Sequence, residues 1–374
     1  VLTLLLACVT HFPSMLVLRT LNGAMLGTLT PICQSLVADM TRSHERGWYF
    51  GVTSMGLNLG GILCALFATP LSNRVILGAQ GWRVTFAAIG FLSLALACTL
   101  GALMTEPPHR GAAGRELTLA GELRRFRGYL RIDTFKVITI QGMFGSVPWS
   151  ALSFQILYYQ YCGIDNGVAA IIFCSMTFGQ ALGSLLGGVV ADRLAAWSPN
   201  HGRAFAAQIS VLSGIPLVGA AMALVPPRLE SALAFLCIMA VLGLAASWCG
   251  PAVNKPIMTE IVDDRSRASV ISWLTALEGS SAACFGAPLV GLLAENVFGY
   301  RPTSMVVSEM PETLRMQNAE ALSHAMLLCT MIPWALCFCC YSLLHLTFGR
   351  DRIKVEEDAA SATGSSARPW TALL

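Results

Sequence analysis

The chain has 374 residues, of which 55% are hydrophobic and only 12% are charged. Soluble domains are only about half apolar, and the mean hydropathy of this chain is positive, at +0.63. The composition therefore predicts an integral membrane protein. The formal net charge of +3 is too small to indicate a nucleic-acid partner. The 13 cysteines lie almost entirely in apolar stretches without a repeated spacing, so they indicate neither a disulfide framework nor a zinc site.

Nine apolar stretches are long enough to cross a bilayer, because a hydrocarbon core of about 30 Å requires about 20 helical residues. They lie at 15–40, 47–70, 82–104, 135–160, 167–191, 204–225, 231–253, 268–294 and 324–348. Residues 1–10 form a shorter apolar stretch without an initiating methionine, which we interpret as the end of a further helix. The sequence therefore predicts an all-α, polytopic membrane protein with a helix stub at its start, in a chain that is a fragment lacking its N-terminal part.

The one long polar segment between apolar stretches divides the sequence into two halves. Its second part, "ELTLAGELRRFRGYLRID", has the pattern of an amphipathic helix that lies on the membrane surface. We expect the remainder of an N-terminal half at 1–104, a loop between the halves at 105–134, a C-terminal six-helix half at 135–348 and a disordered tail at 349–374.

Positive charge predicts the orientation of the chain in the membrane. When alternate loops are assigned to opposite sides, most of the 24 Lys and Arg residues fall on one side. Lys255, which follows the stretch at 231–253, is counted among the residues of this positively charged side. Because positively charged loops stay in the cytoplasm, we expect the loop at 105–134 and the C-terminus to be cytoplasmic.

An acidic residue at the exit of an apolar stretch, followed by an arginine before the next stretch, occurs twice. Asp39 and Arg46 form the first copy and Glu260 and Arg267 the second, at an offset of roughly 220 residues that indicates internally repeated halves. Repeated halves are typical of secondary transporters, which bind substrate between the halves. The charges would then act as conformational latches that pair in one conformation and separate in the other. The alternative is that each charge is merely solvated at the membrane exit.

Two ionisable residues lie inside predicted spans. Glu278 lies well inside the stretch at 268–294, where an ionised carboxylate costs about 2.5–3.5 kcal/mol. This position favours proton coupling or the binding of a cationic group, and a structural hydrogen bond to a neighbouring helix is the alternative. Arg19 lies in the first stretch, near its non-cytoplasmic end. It is a second candidate for coupling, or else it snorkels to the interface.

Polar and small side chains form one face of the stretch at 135–160. Gln141, Trp149 and Ser153 lie on this face, and Pro148 interrupts the backbone hydrogen bonding of the helix. A bent helix with a polar face suits the lining of a substrate cavity, although small residues on such a face also serve helix packing. Weaker candidates for cavity lining lie on other stretches: Gln34, Asn58, Gln180 and Asn254.

Three segments resemble motifs of the major facilitator superfamily. "RTLNGAMLGTLTPICQSLVADMTRSHERG" resembles its fourth-helix pattern, "GWRVTFAAIGFLSL" its sixth helix, and "GSLLGGVVADRLAAWSPNHGR" the second copy of its G-x-x-x-D-R loop motif. More narrowly, segments such as "NKPIMTEIVDDRSRASV" resemble a branch found in plants and protists that is distantly similar to spinster-type lipid transporters. The resemblance covers residues 1–348 and implies that helices one, two and most of three of a twelve-helix bundle are missing.

The resemblance also implies a latch role for charges of the loop motif. It places Asp192 beside Arg193 at the end of a helix, with Asp192 docked on the N-terminus of the helix that begins at Gly47, where backbone N–H groups favour an anion. The insertion "LAAWSPNH" before Arg203 departs from the motif and puts the acidic partner of Arg203 in doubt. The resemblance makes Glu260 the rim partner of Arg203 or Arg267, and Asp39 the rim partner of Arg46.

These patterns favour a secondary active transporter that moves a small neutral, amphiphilic or weakly cationic solute across a lipid bilayer by alternating access, with protons as a candidate coupling ion. The alternative is a non-transporting scaffold or receptor that keeps the transporter fold. An enzyme is not predicted, because the six histidines are scattered and the sequence contains neither a nucleophile-elbow motif nor a Gly-rich phosphate loop. No cofactor or metal is indicated.

Overall fold

The computed structural model describes residues 1–72, 75–76, 78–103, 118–263, 266–303, 305 and 307–363. The first helices are α1 (Leu2–Cys8), α2 (Phe12–Met40), α3 (Arg46–Ser72) and α4 (Gly81–Leu103). A short antiparallel pair of strands, β1 (Val75–Ile76) and β2 (Ala79–Gln80), lies between α3 and α4. The later helices are α5 (Leu119–Tyr129), α6 (Asp133–Ala151), α7 (Gln155–Tyr161), α8 (Asn166–Trp197), α9 (Gly202–Gly219), α10 (Ala232–Ala246), α11 (Lys255–Glu260), α12 (Arg267–Phe285), α13 (Ala287–Asn296) and α14 (Glu312–Thr363).

Each predicted membrane-crossing stretch corresponds to one helical region, and several regions consist of consecutive elements. A 3-10 turn at Leu152–Phe154 joins α6 to α7, and α9 continues as a π-helix at Ala220–Leu224. Six helical regions of the described chain are long and apolar enough to cross a membrane: 81–103, 166–197, 202–224, 229–260, 267–296 and 312–355. The protein is therefore an all-α, multi-pass membrane protein, as its composition predicts.

Proline accounts for the irregular helix segments of the C-terminal half, because it lacks the N–H that an α-helix requires. Pro216 precedes the π-helix that ends α9 by one turn. Pro251 lies in a π-helical segment, Cys249–Asn254, between α10 and α11. The break between α12 and α13 falls at Gly286, and Pro288 occupies the first turn of α13. These breaks free backbone groups within the bundle, where neighbouring helices can satisfy them.

Aromatic side chains form part of the core of the C-terminal half. Tyr158, Tyr159 and Phe235 are each at most 1% exposed. The ring of Phe235 lies 5.7 Å from that of Tyr158 and 5.2 Å from that of Tyr159, distances at which aromatic pairs stabilise packing. This cluster fixes α7 against α10 and gives the half a rigid interior.

The two halves approach each other most closely where α3 packs on α8. A Cβ added at Gly51 would clash with the carbonyl of Ser184, and a Cβ added at Gly188 would clash with the carbonyl of Gly47. The Ser184 hydroxyl also donates a hydrogen bond to the Gly51 carbonyl over 3.2 Å. Only glycine permits this backbone approach, which is typical of tightly packed membrane helices.

The last helix corrects the expectation that residues 349–374 form a disordered tail. Helix α14 continues to Thr363, and residues 364–374 lie outside the described part of the chain. Asp351 is buried and accepts a hydrogen bond from the backbone N–H of Thr134 over 2.8 Å, while Arg350 pairs with Asp133. These contacts fix the extension to the start of α6, which the polar composition alone does not reveal.

The structure also corrects the position of Lys255. The charge count places this residue in a cytoplasmic loop, whereas it begins α11 within the helical region 229–260. Of the predicted loop at 105–134, residues 105–117 lie outside the described part of the chain. The expected amphipathic helix is present as α5.

Candidate functional site

Charged residues from both halves meet at one end of the bundle. We call this end the basic rim and define it by Asp39, Arg46, Asp192, Arg203, Glu260 and Arg267. Asp192, near the end of α8, accepts hydrogen bonds from the backbone N–H groups of Gly47 at 3.1 Å and Trp48 at 2.8 Å. These are free N–H groups at the start of α3, where the helix dipole favours a carboxylate. Asp192 therefore binds the N-terminal half from the C-terminal half, at the place that the family resemblance implies.

Arg203 completes a buried charge cluster beneath Asp192. It is 2% exposed, and its Nη2 lies 3.1 Å from Asp192 Oδ1 and 3.8 Å from Glu260 Oε1. Its Nη1 donates to the Ala252 carbonyl over 3.0 Å. A buried guanidinium requires such charge and hydrogen-bond partners. Arg193, which the sequence groups with Asp192, is instead exposed and makes no ion pair within the described ranges of the chain.

A second contact between the halves joins α2 to α12. Arg267 Nη1 lies 2.7 Å from Asp39 Oδ1, and Arg267 Nε donates to the Thr259 carbonyl over 3.3 Å. Arg46 is buried beside this pair and its Nη2 donates to the Ala38 carbonyl over 3.4 Å. Asp39 therefore pairs with Arg267, whereas the resemblance implied Arg46 as its partner.

A cavity of about 260 Å³ lies between the halves. Its lining is uncharged and combines hydroxyl and amide side chains with apolar ones, with contributions from α3, α6, α8, the end of α10 and the segment between α10 and α11. The lining residues are Ser54, Leu57, Asn58, Trp149, Gln180, Ser184, Ala246, Ser247, Cys249, Gly250 and Pro251. Hydroxyl and amide groups beside an indole ring can bind a solute through hydrogen bonds and apolar contact at the same time.

The contact between α3 and α8 separates this cavity from the basic rim. Along α3, Gly47 and Gly51 come before the cavity residue Asn58, and along antiparallel α8, Gly188 comes between Asp192 and the cavity residues. We call the α3–α8 contact at Gly47, Gly51, Ser184 and Gly188 the glycine seam. Along these two helices the seam lies between the cavity and the basic rim, and Ser184 borders the cavity.

Three predicted cavity residues line the cavity. Asn58 and Gln180 face it from opposite halves, and Trp149 faces it from α6, with its ring in a T-shaped contact 5.7 Å from Trp334. Sequence reasoning missed Ser54 and Ser184. The helical spacing could have identified both serines, because Ser54 precedes Asn58 by one turn and Ser184 follows Gln180 by one turn.

Other predicted cavity residues lie elsewhere. Gln141 is 3% exposed and its Oε1 accepts a hydrogen bond from Asn254 Nδ2 over 3.0 Å, while Asn254 Oδ1 accepts one from the Tyr341 hydroxyl over 2.9 Å. Gln141 and Asn254 therefore belong to a buried network inside the C-terminal half.

Ser153 and Gln34 also lie away from the cavity. Ser153 is exposed and donates to a carbonyl of its own helix. Gln34 is buried, and its Oε1 has no hydrogen-bond partner within the described part of the protein.

Glu278 packs against α6 and faces a basic residue. A Cβ added at Gly142 would clash with the Glu278 carboxylate, so the glycine makes room for it. Lys255 is close enough to Glu278 for their charges to interact, and it also lies near Cys33 of α2. The structure therefore places opposite charges near each other inside the helical bundle. Sequence reasoning missed Lys255 because it lies just beyond the apolar stretch at 231–253, where a charge is interpreted as part of a loop.

Arg19 lies away from both the cavity and the rim. Its side chain is exposed on α2, with the guanidinium 5.9 Å from the centre of the Phe86 ring on α4. Among the described residues, no group of three or more His, Cys, Asp or Glu side chains is close enough to hold a metal ion.

The chain is similar to known membrane transporters. The family model for the Major Facilitator Superfamily matches residues 1–287. A protein of Gibberella moniliformis (strain M3125 / FGSC 7600), described as an MFS-type transporter, is 23% identical over 257 residues. This alignment covers 68% of the chain and 56% of the relative, so the chain spans little more than half the length of that curated relative.

Solved structures of similar fold include a bacterial homologue of the human lysosomal transporter Spinster, crystallised in inward-facing unoccupied and occupied conformations. The TM-scores are 0.61 and 0.60, with 22% sequence identity and coverage of 94% of this chain and 81% of the solved chain. At this identity the likeness concerns the fold. Because the family model matches more than half of the sequence, the chain belongs to the major facilitator superfamily.

Proposed function

We propose that the protein is a secondary active transporter that moves a small neutral or amphiphilic organic solute by alternating access. The cavity between the halves is the observation that supports this function most directly. Residues from both halves line it, and the glycine seam separates it from the basic rim. Rocking of the halves, 1–104 against 135–348, would open the seam and expose the cavity at the rim.

The charges of the basic rim support such a movement. Asp192 and the pair formed by Arg267 and Asp39 each join one half to the other at the same end of the bundle. Hydrogen bonds and ion pairs at a membrane exit can exchange protein partners for water at modest cost. We infer that these contacts form the latch that holds the rim closed, and that Arg203, Glu260 and Arg46 position it.

The cavity lining defines the class of solute. No charged side chain lines the cavity among the described residues, so an ionic solute would leave water without a compensating charge. The volume of about 260 Å³ lies just below the range of about 300–1,000 Å³ for drug-sized ligands. A small uncharged molecule with hydroxyl or amide groups fits, as does the polar end of an amphiphile.

The distribution of positive charge supports a cytoplasmic position for the basic rim. Contacts join the two halves at the basic rim in this structure, whereas the solved bacterial homologue is described as inward-facing. Alternating access requires one fold that can adopt both a state with the halves joined at the rim and an inward-facing state.

The proposal can be tested by uptake into proteoliposomes. The purified protein is reconstituted, a mixture of neutral small molecules is supplied outside, and accumulated solutes are identified by mass spectrometry. We expect at least one solute to accumulate, and the Asn58→Ala, Gln180→Ala double variant to reduce its uptake at least about tenfold, because each change leaves a solute group without a partner.

Ser153→Ala is the matched control, because Ser153 is exposed and does not line the cavity. This variant should transport at the rate of the parent protein. If no solute accumulates above protein-free liposomes, the scaffold or receptor function is favoured. If a solute accumulates equally in the double variant, transport does not use this cavity.

A further inference from the structure

We propose that α5 forms a binding site for the headgroups of anionic phospholipids at the edge of the basic rim. Helix α5 and the turn that follows it present three exposed arginines that make no ion pair with the described part of the chain, beside exposed leucines and at the level where a membrane helix begins. This inference concerns a surface separate from the cavity and does not depend on transport.

One side of α5 is fixed to the bundle. The Phe126 ring stacks on Trp273 of α12 with centroids 4.3 Å apart, and Glu122 Oε2 accepts a hydrogen bond from the Ser269 hydroxyl over 2.8 Å. Tyr129 is 6% exposed and its ring lies 5.6 Å from Phe135 of α6. Because these contacts fix the rotation of α5 about its axis, its remaining faces have a defined direction.

A basic stripe lies on the opposite side of the helix. Arg124 and Arg127 lie three residues apart on α5 and therefore share one face, and Arg131 follows in the turn after the helix ends at Tyr129. All three are exposed. None of the three makes an ion pair with the described part of the chain, whereas Arg125 is neutralised by Glu122. Three neighbouring guanidinium groups without acidic partners attract anions, and phosphate esters are the anions that guanidinium binds in bidentate geometry.

Exposed leucines adjoin the basic stripe. Leu123 is 45% exposed and Leu130 is 43% exposed, and their i, i+7 spacing places them on one side of Arg127. Helix α12 begins at Arg267, and α5 contacts its first two turns. At this level the leucines reach the acyl boundary of the bilayer while the arginines extend to the headgroups, as in interfacial helices.

The exposed arginines and the exposed leucines together favour a lipid as the partner. A soluble anion would use the arginines but would leave the leucines in water, whereas an anionic phospholipid covers both groups. Each arginine near an anionic membrane surface contributes about 1 kcal/mol, which is about fivefold in affinity. Removing all three charges should therefore weaken lipid binding by about 100-fold.

The test is a lipid titration of the full chain in detergent, with the melting temperature and native mass spectrometry as readouts. Phosphatidylglycerol should raise the melting temperature and remain bound in the spectrometer, and phosphatidylcholine should do neither. The Arg124→Gln, Arg127→Gln, Arg131→Gln variant should lose the response, whereas the corresponding lysine variant should largely keep it. Inorganic phosphate alone should give no response.

Arg228→Gln, Arg301→Gln is the control for general loss of positive charge, because these arginines lie in the loops before α10 and before α14. It should respond as the parent protein does. The inference is overturned if the triple glutamine variant, folded with an unchanged melting temperature in detergent alone, retains phosphatidylglycerol as strongly as the parent. A response to inorganic phosphate equal to that of the lipid would also overturn it, in favour of a soluble anion.

Discussion

Arg267, the first residue of α12, donates a hydrogen bond from Nη1 to Asp39 Oδ1 over 2.7 Å and joins the C-terminal half to the end of α2. The contact of Asp192 with the start of α3 joins the same halves at the same end of the bundle. Both contacts must break if the halves separate there. They differ in burial, because Asp39 is 39% exposed whereas Asp192 is 12% exposed, so their removal should have different consequences.

Neutralising the exposed pair should have a small effect. Asp39→Asn removes a carboxylate that is 39% exposed and that water partly screens, so we expect the closed state to lose at most about 1 kcal/mol, or about fivefold in population. The measurement is labelling of a Ser54→Cys variant by a membrane-impermeant thiol reagent added at the basic rim, with the parent chain as background for native cysteines. The Asp39→Asn, Arg267→Gln double variant should open no further than Arg267→Gln alone, since the two residues act as a pair.

Asp192→Asn should have a larger effect. It removes one partner of a buried ion pair and leaves Arg203, which is 2% exposed, with less compensating charge. Breaking such a pair costs about 3–5 kcal/mol, so we expect a lower melting temperature. Labelling at Ser54→Cys should increase because the neutral side chain binds the start of α3 less well. Arg193→Gln is the neighbouring control, because Arg193 is exposed. Similar labelling of the two variants would contradict a latch role for Asp192.

The glycine seam gives a steric test of the same closure. Gly51→Ala places a methyl group against the backbone of Ser184 and Leu185, which cannot move as a side chain can. Overpacking of this kind costs about 1–3 kcal/mol, so α3 and α8 should separate and Ser54→Cys should label faster. Gly56→Ala, on the same helix, meets nothing within 4 Å and should label at the parent rate. Equal rates in both variants would show that the seam does not close the cavity.

The sequence predicts the membrane helices and the rim contacts better than it predicts the cavity. Hydropathy locates each helix because the signal extends over about 20 residues, and a loop motif locates Asp192 because its spacing is local. Whether Gln141 faces a cavity or a buried partner depends on the rotation of α6 and on Asn254, which is distant in sequence. Lys255 shows the same limit, because a charge near a helix end looks identical in sequence whether it points to water or to Glu278.

The start of α6 should make stability depend on acidic pH. Lys136, followed by Arg350, lowers the pKa of Asp133 below its ordinary value, so its carboxylate stabilises the fold above the unfolded pKa of about 3.9. This contribution is lost as the pH falls through the lower, folded pKa. Asp133→Asn should therefore lower the melting temperature at pH 7 and differ less from the parent near pH 3. A difference that is constant between pH 7 and pH 3 would contradict this role.

Glu278→Gln should separate proton coupling from a structural role for this carboxylate. Glutamine keeps the shape that Gly142 accommodates but cannot take up a proton or balance the charge of Lys255. If Glu278 carries the coupling proton, the variant should still exchange solute across the membrane but should no longer concentrate it in response to a pH gradient. The measurement is solute accumulation in proteoliposomes with and without that gradient. A variant that concentrates solute with the pH dependence of the parent would show that Glu278 holds the helices together and does not couple transport to protons.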